Sequence, residues 1–154
     1  MSIEKGIYSI INSLQTELNI MNGNTVAIGR NAGHSNQGTY SIAIGPSAGE
    51  ISQLDACIAI GTSAGQSNQS YRAVAIGQYA GQTNQKSDSI AIASEAGQSN
   101  QNTGSVALGV YAGNTSQGTS SVAVGHWSGK TNQGAHSISI GEQAGYTDQS
   151  NNNI

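Results

Sequence analysis

The chain has 154 residues, enough for one ordinary domain, yet only 8% are charged, against about 25% in typical globular chains. A net charge of -3 with five basic residues argues against nucleic acid as a partner. No apolar run reaches the ~18 residues of a membrane span, the single Cys57 allows no intrachain disulfide, and no basic stretch leads an apolar core as in a signal peptide.

The first predicted element is a helix. Ile7, Ile11, Leu14, Leu18 and Met21 step by four, three, four and three, which is heptad spacing. Ser2 and Glu4 suit a helix start, and Asn22, Gly23 and Asn24 suit a stop. Residues 1–24 therefore read as a short coiled-coil neck, or as a cap on the first strand of the repeat region.

From Thr25 to Asn152 the chain repeats itself eight times in blocks of sixteen, the signature of a stacked architecture. The consensus is S-[IV]-A-I-G-x-x-A-G-x-[ST]-N-Q-x-x-x. Each block opens with period-two alternation of small and branched residues, which predicts a short strand. Gly at position 5 ends that strand, except for Ala93, and an unvarying Gly at position 9 marks a second bend. Positions 10 to 13 read as a second short strand, and positions 14 to 16 as a polar turn. One block cannot bury its branched residues alone, so the blocks must stack, strand on equivalent strand. The expected fold is all-β: a parallel β-roll or β-solenoid of eight coils over 25–152, with 153–154 as a tail.

The alternation assigns Val26 to Ile138 at position 2, and Ile28 to Ile140 at position 4, to the interior. On this phase Ile76 faces inward and Gln78 lies at a bend in water. Ser and Ala at positions 1 and 3 form a flat outer row, suited to close packing on another chain. Gln at position 13 occurs in all eight blocks, from Gln37 to Gln149. Identical amides at strand spacing can hydrogen-bond up a ladder. The core is thin for its length, so an oligomer of the chain with itself is expected.

"SIAIGPSAG", "AVAIGQYAG" and "SVALGVYAG" resemble the head repeats of YadA-like trimeric autotransporter adhesins. The longer "AVAIGQYAGQTNQ" and "SVAVGHWSGKTNQG" resemble repeat tracts in phage tail fibres and in fibre-like proteins of large DNA viruses, the better match. The resemblance covers residues 25 to about 150. It implies a left-handed parallel β-roll, a homotrimer with the branched residues inside each roll, a virion or extracellular location, and attachment to host surfaces as the activity.

No enzyme motif, cofactor site or metal row is expected. The three histidines, His34, His126 and His136, fall at three different repeat positions, so they cannot line up as ligands. A hexapeptide-like acyltransferase is a remote alternative, since its turn is built from sixes and sixteen is not, and its insertion-borne catalytic His is missing. An ice- or surface-binding solenoid is an alternative, drawn from the Ser/Thr column at position 11. One column breaks the polar monotony. Tyr79, Tyr111 and Trp127, three of the chain's seven aromatic residues, share position 7. They are the candidate surface-contact residues for a host glycan or protein, since rings with polar edges suit such contacts.

Overall fold

The computed structural model describes residues 3–9, 18–19 and 24–154. Residues 25–152 form a parallel β-solenoid in which each repeat is one coil. Strand 1–4 of each repeat appears as β2 (Val26–Ile28), β4 (Ile42–Ile44), β6 (Ile58–Ile60), β8 (Val74–Ile76), β9 (Ile90–Ile92), β10 (Val106–Leu108), β11 (Val122–Val124) and β12 (Ile138–Ile140). These eight pair in parallel, each residue beside its equivalent one repeat on: Ile42 beside Ile58, Ala43 beside Ala59, Ile44 beside Ile60. Seven sixteen-residue turns connect them.

The second side of the coil is less regular. β3 (Ser35–Gln37), β5 (Ile51–Gln53) and β7 (Ser67–Gln69) form a three-stranded parallel sheet. Beyond it the same position continues as single bridges, Ser67 to Thr83, Ser99, Thr115, Thr131 and Thr147. The reason is local. Position 12 is left-handed throughout, for example Asn68 at φ 59° and Asn84 at φ 56°. Asn tolerates that conformation better than most side chains, which accounts for the Asn column.

The N-terminal helix spans 3–9. Ile11, Leu14 and Met21 lie outside the described residues. Leu18, expected on the helix seam, stands instead in β1 (Leu18–Asn19), antiparallel to β2 with Leu18 opposite Ile28. There β1 covers the otherwise open edge of the long sheet.

The phase of the strand is opposite to the sequence expectation. Ala at position 3 and Ala at position 8 form the core, with Ala43, Ala48, Ala59, Ala64, Ala75 and Ala80 all fully buried. Position 1 is also inside, and its hydroxyls are satisfied there: Ser41 Oγ donates to Leu54 O at 2.7 Å and Ser105 Oγ to Asn102 O at 2.6 Å. The branched residues of positions 2 and 4 point out and are half-buried or exposed, Ile76 among them. Tight closure explains the inversion. In the second coil Gly45, Ser47, Gly49, Ser52 and Ala56 all have positive φ. A coil that turns so sharply encloses too small a section for Ile, and close-packed interiors do not tolerate the excess volume.

The largest interior side chain is the position-13 glutamine. Gln53, Gln69, Gln85, Gln101 and Gln117 are fully buried. Each amide donates to the next: Gln37 to Gln53 at 3.3 Å, Gln53 to Gln69 at 3.0 Å, Gln69 to Gln85 and Gln85 to Gln101 at 3.1 Å, Gln101 to Gln117 at 3.2 Å. Each also donates across the coil to the strand, as Gln69 does to Ile58 O at 2.8 Å. The expected ladder is therefore present, and it is the core. The amide-to-amide run ends at Gln117, with Gln133 Oε1 left without a partner among the described residues, and the last coil differs again. Ser139 replaces Ala there, so Gln133 Nε2 donates to Ser139 Oγ at 3.2 Å and that hydroxyl donates to Gln149 Oε1 at 2.6 Å.

Position 5 supplies one testable strain. A Cβ on Gly77 or Gly109 would lie 2.6 or 2.8 Å from a backbone carbonyl carbon of the next coil, at φ +127° or +129°. Ala93 carries a Cβ at this position with φ 106°. Such strain costs about 1–3 kcal/mol, more than the ~0.5–1 kcal/mol of extra chain entropy that glycine loses. Ala93→Gly is expected to stabilise the fold by about 1 kcal/mol. A lowered melting temperature by circular dichroism would show that Ala93 is relaxed where it stands.

Candidate functional site

Two outward features depart from an ordinary polar surface. The first is the long sheet's outer face. Columns 2 and 4 place sixteen Val, Ile or Leu side chains there, with Leu108 43% and Ile140 67% exposed at the less covered places. At about 4.8 Å per coil the stripe is about 34 Å long. It is straight because the pairing never slips register.

The second is a corner near the C-terminal coils. Positions 7 and 10 flank the buried Ala–Gly pair at 8 and 9, so their side chains leave the coil at the same corner. In the sixth to eighth coils these positions hold Tyr111, Trp127, Lys130 and Tyr146. The Tyr111 and Trp127 ring centroids are 6.3 Å apart, and Trp127 and Tyr146 meet edge-on at 6.4 Å. His126 stacks on Trp127 at 4.1 Å. Lys130 Nζ lies 5.5, 5.6 and 5.3 Å from the centroids of Tyr111, Trp127 and Tyr146. It also donates to the Tyr146 hydroxyl at 3.2 Å. These are cation–π distances.

Two carboxylates border this corner. A hydrogen bond to Glu95, followed by that carboxylate's charge, pushes the Tyr111 phenol above its ordinary value. Glu142 lies 3.9 Å from His126 Nδ1. Among the described residues no carboxylate pairs with Lys130.

Of the three aromatic residues singled out in the sequence, the fold joins Tyr111 and Trp127 and leaves Tyr79 apart. Glu95 occupies the corner between Tyr79 and Tyr111. Lys130, Tyr146 and His126 were missed, because a column search sees one position at a time. The signal was available at position 10, where Lys130 and Tyr146 interrupt a run of amides.

The remaining polar columns are tied up internally. Gln66 donates to Glu50, Gln82 to Gln66 and Gln98 to Gln82. Asn68 donates to Asn84 and Asn84 to Asn100. Cys57 takes the position of an interior Ser, its Sγ donating to Ser70 O at 2.8 Å, and burial pushes the thiol up. Among the described residues no three His, Cys, Asp or Glu side chains converge as a metal site, and no helix is long and apolar enough to cross a membrane. No family model, curated protein or solved structure matches the chain.

Proposed function

We propose that the chain is a structural and adhesive segment of a fibre on a virion or cell surface, a rod of three identical left-handed rolls. The observation that carries it is the aliphatic stripe. Monomeric proteins rarely expose contiguous apolar patches beyond a few hundred Å². Here sixteen aliphatic side chains run the length of the rod on one flat face. A second copy of the same chain fits that face without mismatch, since both repeat at the same coil spacing. Copies laid side by side with the same polarity keep every coil level with its equivalents, as a fibre needs. The repeat resemblance supports three copies around one axis rather than two.

The interface is thus the branched face, and the Ser/Ala row plays no part in it. Ile60→Lys with Ile76→Lys puts two charges into the stripe without touching the interior. The expected result is a dissociated chain that retains its β-sheet circular dichroism. Native mass spectrometry decides it. A wild-type chain that stays monomeric at micromolar concentration overturns the proposal.

A second reading rests on the in-register Ser/Thr bridges from Ser67 to Thr147, a regular hydroxyl row of the kind an ice- or surface-binding solenoid presents. Thermal hysteresis in the intact oligomer separates the two.

A further inference from the structure

We infer that the corner built by Tyr111, Trp127, Lys130 and Tyr146 binds an acidic saccharide. The inference rests on the reading of the chain as a surface-exposed fibre, and it names the ligand class and the site.

The coil does not need these rings. In the second and third coils the same corner holds Ser47 and Ser63. The backbone there closes with the same bond, Ser63 N to Pro46 O at 2.9 Å against Trp127 N to Val110 O at 3.0 Å. The interior beneath is Ala and Gln in both places apart from Ser128, which takes the Ala position under Trp127 and donates its hydroxyl to Gly125 O at 2.9 Å. Moreover, Tyr111 and Trp127 sit at φ 58° and 59°, where Gly or Asn would be more comfortable. The left-handed turn is common to position 7 of every coil, Ser47 at φ 55° and Ser63 at φ 53° included, so it places the rings without requiring them.

The chemistry of the corner selects the ligand. Rings offer faces to the C–H surface of a sugar and hydroxyls to its edges. Lys130 adds a compact ammonium with three donors, one of which is used on Tyr146. Three rings orient this charge but cannot neutralise it, and no carboxylate pairs with it among the described residues. The complement is an anionic group on the ligand. An organic cation does not fit, because Lys130 already fills the space between the rings. Gln143 follows Trp127 in column 7, and of the carboxylates at the corner's edge Glu95 is held by Tyr111 and Glu142 lies beside His126, leaving Lys130 as the charge open to a ligand.

The test is a glycan array probed with the intact oligomer, carrying neutral, carboxylated and sulfated saccharides, with polyglutamate as a non-sugar anion. Binding is expected on the acidic sugars and to weaken as salt rises. Lys130→Gln is expected to lower affinity by about tenfold to a hundredfold, the worth of one hydrogen bond to a charged group. Lys130→Arg should retain part of the binding, and Tyr79→Ser all of it. Carboxylated-only or sulfated-only binding would each support the inference and say which acid is preferred. Failure of an assembled oligomer to hold any acidic glycan overturns the inference and leaves the fibre reading standing. So does equal binding to polyglutamate, or binding that survives both Lys130→Gln and Trp127→Ser. If the chain proves monomeric, the fibre reading fails, and the same array on the monomer still decides the site.

Discussion

Gln85→Ala should destabilise the rod by about 4–8 kcal/mol, an exceptional value for one substitution. The Gln85 amide donates to Val74 O at 2.8 Å, to Ser89 O at 3.4 Å and to Gln101 Oε1 at 3.1 Å. It accepts from Gln69 Nε2 at 3.1 Å. Truncation orphans several of these partners at once, and each buried orphan costs about 1–3 kcal/mol. A void the size of the lost amide adds to that. No water can easily repair it, since the residue is fully buried. Gln78→Ala, at a coil corner and exposed as the sequence expected, should cost under about 0.5 kcal/mol. Denaturant unfolding of the two variants at equal concentration makes the comparison. Similar midpoints would mean that the ladder contributes little. Gln85→Glu extends the test. A carboxylate in that seat is desolvated, so its pKa is raised in the fold and the neutral acid is favoured. Its destabilisation should be full at neutral pH and shrink as pH falls through the raised pKa.

The architecture was legible in the sequence, and the sidedness was not. Sixteen-residue periodicity, the strand at positions 1 to 4 and the amide ladder all follow from spacing, and spacing is what a repeat displays. Which face of a three-residue strand turns inward depends on the size of the enclosed section, which alternation does not encode. The general preference of Ile for interiors and of Gln for surfaces then pointed the wrong way. One hint was present. Position 4 admits Ile, Leu108 and Val124, while position 3 admits only Ala and Ser139. A close-packed interior restricts volume, so the column that never grows is the buried one. For the candidate site the limit was different. Tyr111 and Trp127 share a column and could be paired on paper. Lys130 joins them only because positions 7 and 10 leave the coil at one corner, and that requires the bend between them.

Gly81→Ala should be nearly as damaging as loss of the amide, and for the same reason. Position 9 is Gly in all eight repeats, with φ between 49° and 55°. Left-handed backbone does not by itself demand Gly here. Ala56 has φ 58° and Ser47 φ 55° in the same structure, and the left-handed penalty for a side chain is about 1–2 kcal/mol. The difference lies in the neighbour. A Cβ on Gly81 would lie 2.6 Å from Gln85 Oε1 and 2.7 Å from its Cδ. In a free side chain such an overlap is relieved by rotation, but this amide is held on every side by the ladder. The methyl group and the amide compete for one space, so columns 9 and 13 are invariant because of each other. A double-mutant cycle exposes this. If Gly81→Ala acts by ejecting the amide, then with Gln85→Ala already present it should cost only the left-handed penalty. The pair should then fall short of the sum of the singles by at least about 1 kcal/mol, within the range found for residues in contact. Strict additivity would show that Gly81 is required by its backbone conformation alone.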